Sequence, residues 1–300
     1  MKVKTLLIGL GNIAIKYKIK KNKLSLFTHC GSLLNNNFFT VIGAVDKSNK
    51  NKNLYKKFFN NNFFYDFKSI PKEINPELIV LSTTTKTHYK IFLKIFKHKF
   101  KNLKVILAEK PFCNTIEQAN KIRYLSKKNN VKIFINYTRN YYKSFNIINK
   151  YFDKKKSNEG TVYYSGDFKN NASHFISLFS KFYGKINNIH ILENNSKEKK
   201  EKKKYLLDFG NTNIYFQKIN EKNIHKFTLH NKYFKLFYKN SLKSFFIVNK
   251  KINKKIMYNI NVGNISVFEE IQNFFLRKKY YCCSVNNSIY VHQIIKKCIN

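Results

Sequence analysis

The sequence predicts an α/β protein in two parts: a doubly wound parallel sheet, then a strand-rich α+β part with a large, open, mostly antiparallel sheet. Three observations predict it. A strand runs straight into a G-x-G-x-x-A turn, Val3-Lys4-Thr5-Leu6-Leu7-Ile8-Gly9-Leu10-Gly11-Asn12-Ile13-Ala14. The first half alternates continuous apolar runs with helical patterns, as a parallel sheet covered on both faces requires. The second half turns to closely spaced strand-like segments divided by short polar turns, as an antiparallel sheet requires. With 300 residues, 43% of them hydrophobic, the chain suffices for two domains and a sizeable core.

In order, Lys4–Ile8, Thr40–Val45, Leu78–Ser82, Val105–Ala108 and Val131–Ile135 read as strands. Helical patterns lie between them at Thr87–Phe96 and Thr115–Lys128, the second opening on Thr115-x-x-Gln118, a capping box. A helix is expected at Tyr141–Phe152. Strands follow at Gly160–Ser165, Tyr205–Phe209, Asn213–Lys218, Lys226–His230, Tyr233–Tyr238 and Ser244–Val248. Ser196–Lys204 is a charge run and reads as a solvated hairpin loop. Helices near Val267–Leu276 and Ser288–Cys298 close the chain.

The glycine turn carries the first chemistry. Gly9 makes a tight turn, Gly11 lets backbone approach a pyrophosphate, and Ala14 lets the helix lie close to the strand. Amides at the helix start then face phosphates. The alternative is a tight strand-to-helix turn of another α/β protein. Asp46 ends the second strand, where an acid accepts both ribose hydroxyls of an adenosine and repels a 2′-phosphate. NAD is therefore favoured as the cofactor, and Lys47, next in the chain, leaves NADP open. The separation of Asp46 from the glycines exceeds the usual spacing of about 20 residues; Tyr17–Asn37 fills the excess as an extended first crossover. Glu109-Lys110-Pro111 follows the fifth strand, at the edge where such sheets hold ligands. A desolvated lysine there suits proton transfer from a hydroxyl, although most lysines of this chain are solvated surface.

The net charge of +42 excludes less than it suggests. Of 58 basic residues only Arg123, Arg139 and Arg277 are arginine, and lysine is spread along the whole chain. A nucleic-acid binder would use arginine and cluster its charge. The pattern fits the codon bias of an A/T-rich genome, and no specific nucleic-acid partner is expected. No apolar run approaches the ~20 residues of a membrane span, and Met1–Ile15 reads as a buried strand, not a secretion signal. Five cysteines, two of them adjacent at Cys282 and Cys283, fit neither a disulfide framework nor a zinc site, so no metal is expected and a reducing, cytoplasmic setting is.

Gly9-Leu10-Gly11-Asn12-Ile13-Ala14, Ala44-Val45-Asp46, Thr85-Lys86-Thr87-His88, Glu109-Lys110-Pro111, Asn136-Tyr137-Thr138-Arg139 and Asn170-Asn171-Ala172-Ser173-His174 occur in an order that resembles the glucose–fructose oxidoreductase / inositol dehydrogenase (Gfo/Idh/MocA) family. Thr28-His29-Cys30, Asn171–His174 and Phe175–Leu178 further resemble a branch linked to surface-polysaccharide and nucleotide-sugar metabolism. The resemblance implies an NAD(P)-binding Rossmann domain at 1–137 and a substrate and oligomerisation domain at 138–300, whose sheet builds a homo-oligomer. It implies hydride transfer between a sugar or nucleotide-sugar hydroxyl carbon and nicotinamide. Lys110 would bind the reacting hydroxyl and assist proton transfer, with His174 beside it as an acid/base group. Arg139 would lie near the substrate or nicotinamide end. Asn170 and Asn171 would face the substrate. Gly9, Gly11, Asn12, Ile13, Asp46, Thr83, Thr85, His88 and Glu109 would hold the cofactor.

Three positions depart from the family pattern. Asn170 and Ser177 stand where aspartates are frequent, and Thr84 stands for a proline. They motivate a rival reading, a dinucleotide-binding protein that has lost catalysis. The charge alone motivates a second rival, a basic nucleic-acid-associated protein.

Overall fold

The computed structural model describes residues 2–19, 23–192, 204–261 and 263–299. The expected hairpin loop at Ser196–Lys204 lies outside them except for Lys204. The chain forms two compact units: Met1–Tyr141 with Val262–Ile289, and Tyr142–Asn261 with Tyr290–Asn300.

The first unit is a six-stranded parallel sheet of β1 (Val3–Ile8), β2 (Phe39–Val45), β3 (Asn62–Phe64), β4 (Leu78–Leu81), β5 (Val105–Ala108) and β6 (Lys132–Ile135), in the order β3-β2-β1-β4-β5-β6. Its core is apolar on both faces, with Leu6, Leu7, Ile79, Val80, Ile106 and Leu107 fully buried. Full burial of each such side chain contributes about 1.5–3 kcal/mol. Helices α1 (His29–Leu34), α2 (Asn49–Lys56), α3 (Thr85–His98) and α4 (Ile116–Lys128) form the crossovers. Thr115 caps α4 as expected, accepting the Gln118 N–H at 3.2 Å, while the Gln118 side chain reaches Asn114 N rather than Thr115 N. Strand order reverses between β2 and β4 around β1, and ligands bind at such a reversal.

The division expected at 137/138 differs from the one observed. Residues 262–289 return to the first unit because Asn264 bonds Leu26 and Phe27 and Phe134 pairs with Ser284.

The second unit holds α5 (Ile148–Tyr151), α6 (Ser173–Tyr183) and an eight-stranded sheet. The strands are β7 (Asn158–Tyr164), β8 (Asn188–Leu192), β9 (Lys204–Asp208), β10 (Thr212–Lys218), β11 (His225–His230), β12 (Phe234–Lys239), β13 (Ser244–Asn249) and β14 (Lys254–Asn259). Their order is β14-β13-β12-β11-β7-β10-β9-β8; only β7 and β10 pair in parallel. Gly160 is required in β7, since a Cβ there would lie 2.5 Å from Leu229 Cδ2 and 2.7 Å from Thr228 O. One sheet face is buried, Phe227 meeting Phe145, Phe175 and Phe179. The other alternates half-buried side chains, among them Tyr163, Tyr215, Phe237 and Phe246.

Helix α7 (Ile265–Phe275) belongs to the first unit, and α8 (Val285–Ile299) begins there and ends in the second. The single helix expected at Tyr141–Phe152 is two 3₁₀ turns and α5, because Tyr142 takes an extended backbone that interrupts it.

Candidate functional site

Gly9 turns the chain at the end of β1 with φ +87°, and a Cβ there would lie 2.6 Å from Thr83 Cγ2. Gly11 is the opposite case: an added Cβ would meet nothing within 4 Å. The turn is thus closed at Gly9 and open at Gly11. Asn12–Lys16 then form a single π-helical turn, not the α-helix expected, with Ala14 fully buried against the sheet. Gly11 supplies no side-chain cap, so the first amides of the turn remain available for an anion.

Asp46 anchors the other wall. Its carboxylate accepts the Leu10 N–H at 2.6 Å, the Ser48 N–H at 2.9 Å and the Asn51 Nδ2 at 3.0 Å. Asn51 is 7% exposed, and its Oδ1 is buried with no hydrogen-bond partner. The amide cannot be flipped to satisfy that atom, because Oδ1 would then face the Asp46 carboxylate. Gly9, Gly11, Asp46, Asn51, Thr83 and Ile91 are among the residues lining a cavity of about 480 Å³ at the strand-order reversal. Thr84, Thr87, Lys47, Lys90 and Lys94 line it as well.

Three features fit a dinucleotide. A Cβ would intrude into the open space at Gly11, the amides after it have no side-chain cap, and a buried acceptor at Asn51 lacks a donor. Asn12, Ile13, Thr85, His88 and Glu109 do not line this cavity. Asn51 escaped the sequence reading; its position within the first turn after a Ser48 cap was the available signal.

His88 is wholly buried behind the cavity wall. Its Nε2 lies 2.9 Å from Thr83 O and its Nδ1 3.1 Å from Phe112 O. It ties the loop under Gly9 to the loop after Pro111. Burial pulls its pKa down, against the two carbonyl contacts that push it up.

Glu109 leaves β5 with its N–H on Leu81 O. Its carboxylate turns inward: Oε1 accepts His29 Nε2 at 2.8 Å and Asn136 Nδ2 at 2.6 Å. Burial raises the proton affinity of this carboxyl, but the His29 hydrogen bond and charge, Asn136 and Lys110 outweigh it and hold the pKa below the usual value. Lys110 follows, half-buried, with a cis bond to Pro111. Arg139 is half-buried on the 3₁₀ turn Thr138–Tyr141 after β6. The sequence offered Thr28-His29 and Asn136 only as parts of family-like segments and gave neither His29 nor Asn136 a role.

In the second unit, Asn170 and Asn171 sit on the π-helical turn Phe168–Ala172, and His174 in the first turn of α6. Asp167 caps that turn and accepts Asn170 N at 3.2 Å and Asn170 Nδ2 at 2.6 Å. Asn171 Nδ2 donates to Ser165 O at 2.8 Å. Ser177 is buried on α6. A carboxylate stands three residues earlier, at Asp167, and accepts the Asn170 amide.

Among the described residues no three His, Cys, Asp or Glu side chains gather as a metal site, and no helix is long and apolar enough to cross a membrane. Residues 3–137 match the family described as "Oxidoreductase family, NAD-binding Rossmann fold". No curated protein matches the sequence. Among solved structures, the dehydrogenase MviM of Clostridium difficile superposes with a TM-score of 0.78 at 16% identity, over 100% of this chain and 99% of its own. The WlbA dehydrogenase of Bordetella pertussis, solved with NADH and UDP-GlcNAcA, gives 0.72 at 12% identity over 98% and 94%. An Agrobacterium radiobacter oxidoreductase, solved with NAD+, L-tartaric acid and magnesium, gives 0.72 at 11% identity over 99% and 95%.

Proposed function

We propose that this protein is an NAD-dependent oxidoreductase acting on a hydroxyl carbon of a sugar or nucleotide sugar, a reading supported by the match of residues 3–137 to the NAD-binding Rossmann fold of the Gfo/Idh/MocA oxidoreductase family. The observation that carries the reading is the cradle at the strand-order reversal: Gly11 open, Asp46 fixed, Asn51 Oδ1 unpaired. The likeness to WlbA, solved with UDP-GlcNAcA, supports the nucleotide-sugar class of substrate, and the sequence resemblance at Thr28–Cys30, Asn171–His174 and Phe175–Leu178 supports a place in surface-polysaccharide biosynthesis.

Bound NAD supplies the carbon that accepts hydride; alignment of the substrate with it falls to the protein. The amides after Gly11 would take the pyrophosphate. A carboxylate has about four acceptor sites, and three protein donors occupy Asp46, which leaves capacity for a ribose hydroxyl. Asn51, which lines the cavity beside Asp46, would help to hold the adenosine end. Thr83 lines that cavity, His88 braces Thr83 from behind, and Glu109 acts through its neighbours. Lys110 Nζ takes the hydroxyl proton during oxidation or returns it during reduction. Arg139, and His174 with Asn170 and Asn171 on the adjoining turn, are read as substrate-binding residues.

The half-buried face of the eight-stranded sheet supports a homo-oligomer. Lys255 lies 3.8 Å from the Phe246 ring centre and Lys226 5.1 Å from that of Tyr163, so these lysines lie over an aromatic surface. Five free cysteines suit a cytoplasmic setting. A second reading, a dinucleotide binder without turnover, draws on Asn170 and Ser177. Nicotinamide absorbance measured with a panel of nucleotide sugars and free sugars separates the two. Turnover on at least one is expected; NADH binding with none would favour the second reading.

A further inference from the structure

Asn51 does not bond as the third residue of a helix usually does. Ser48 caps α2 by accepting the Asn51 N–H at 3.3 Å. In a capping box the third side chain reaches back and accepts the N–H of the cap residue. Here that N–H, from Ser48, goes to Asp46 Oδ1 at 2.9 Å. Asn51 turns its amide past the cap and donates from Nδ2 to the same Asp46 oxygen at 3.0 Å. Its own Oδ1 is left without a donor, in a residue only 7% exposed. A buried acceptor without a donor destabilises the fold, so stability alone does not account for this arrangement.

What the arrangement fixes is Asp46. The half-buried carboxylate is held at Oδ2 by the glycine turn, through the Leu10 N–H at 2.6 Å, and at Oδ1 by α2, through Asn51. The Ser48 bond is local, two residues along the chain. Leu10 and Asn51 grip the two oxygens from two different elements and so set the plane of the carboxylate.

Charge makes that plane matter. Lys47, Lys90 and Lys94 line the same cavity and are exposed. They would draw in a 2′-phosphate. Of the acids among the described residues that line it, Asp66 is exposed and turned to its own loop, where Oδ1 accepts the Lys68 N–H at 2.8 Å and the Ser69 N–H at 2.9 Å. Asp46 is left to oppose the lysines. We propose that Asn51 is a positioning residue that sets the choice of NADH over NADPH, by holding the Asp46 carboxylate on the wall where a 2′-phosphate would lie. The inference rests on reading this cavity as the adenosine end of a dinucleotide site. Without the Asn51 donor the carboxylate can turn toward water, where its charge is screened, while the lysines stay as they are.

The test is the ratio of NADPH to NADH affinity in the full-length protein, followed by the fluorescence of the reduced nicotinamide and needing no substrate. The wild type should prefer NADH. Asn51→Leu, similar in shape, removes the donor and the orphan acceptor together. It is expected to raise the ratio about tenfold, in line with the loss of one hydrogen bond to a charged group. A residue with a merely structural role would weaken both cofactors alike, so an unchanged ratio overturns the proposal. Should Asn51→Leu not fold, Asn51→Ala removes the same donor and is judged by the same ratio. A wild type that prefers NADPH overturns the proposal while leaving the dinucleotide site standing. A wild type that binds neither cofactor overturns the dinucleotide reading and the proposal with it.

Discussion

The Asp46 carboxylate accepts the Leu10 N–H at 2.6 Å, across 36 residues of sequence. This bond joins the end of β2 to the middle of the glycine turn. The wall proposed to meet a ribose and the turn proposed to meet a pyrophosphate are therefore tied directly to each other.

Gly11 gives the cleanest test of that arrangement. Its backbone is ordinary, φ −74°, and a Cβ there meets nothing in the protein. Gly11→Val should fold with an unchanged melting temperature yet lose NADH affinity by roughly tenfold or more, about 1.4 kcal/mol upward. Gly9→Val should instead lower the melting temperature, because its φ is +87° and Thr83 blocks the side chain. Calorimetric titration and thermal melting separate the two outcomes. Equal NADH affinity in wild type and Gly11→Val would remove the cofactor assignment from this turn.

His88 predicts a pH dependence. Burial keeps its imidazole below the ordinary 6.5, so on acidification the unfolded chain takes up this proton before the folded one. The contribution of His88 is complete above about 6.5 and is lost as pH falls through the lower folded value. Urea midpoints measured at pH 7.5, 6.5 and 5.5 should therefore decline for the wild type. They should decline less for His88→Gln, which keeps a donor for one carbonyl. Parallel declines would show that other groups control this window.

The parts of the molecule that repeat a local rule were readable in advance, and those that depend on distant partners were not. Gly9, Gly11 and Asp46 lie at the ends of unmistakable apolar strands. Thr115 caps the helix its spacing announces. By contrast, β14 is Lys254-Lys255-Ile256-Met257-Tyr258-Asn259, an edge strand whose lysines conceal its period. Glu109 is expected from the sequence among the cofactor-holding residues, yet its partner His29 lies 80 residues away and arrives only when the sheet is assembled. The Asn264 link was hidden for the same reason: a helix start late in the chain folds back onto the first unit. His88 was expected to face the cofactor and instead braces the wall behind it.

Asn170 can be read through its neighbour. Asp167 Oδ2 already sits 2.6 Å from Asn170 Nδ2, so Asn170→Asp sets two carboxylates against each other on an exposed turn. The variant is expected to melt about 2–4 °C lower, in line with a weak, solvated repulsion. It should gain no activity if the asparagine belongs to the active enzyme. Asn170→Asp combined with Asp167→Asn reverses the pair and should restore the melting temperature. A gain in turnover from Asn170→Asp alone would favour the reading of a catalytically decayed protein.

The remaining prediction concerns the reaction itself. If Lys110 handles the proton, Lys110→Ala should cut kcat by about 10²–10⁴-fold, the usual worth of general acid–base help and roughly 3–5 kcal/mol of barrier. NADH affinity should change little, because Lys110 does not line the cavity of Gly11 and Asp46. His174→Ala should cost less if the lysine meets the hydroxyl directly and the histidine supports it. Lys110→Arg separates charge from proton transfer: it keeps the cation beside Glu109 but cannot give up its proton, so it should be as inactive as alanine. The assay is nicotinamide absorbance on whichever sugar the panel identifies, with NADH binding measured in parallel. Undiminished turnover in Lys110→Ala would defeat the mechanism, whereas lost turnover together with lost NADH binding would point to a collapsed loop and not to a missing proton carrier.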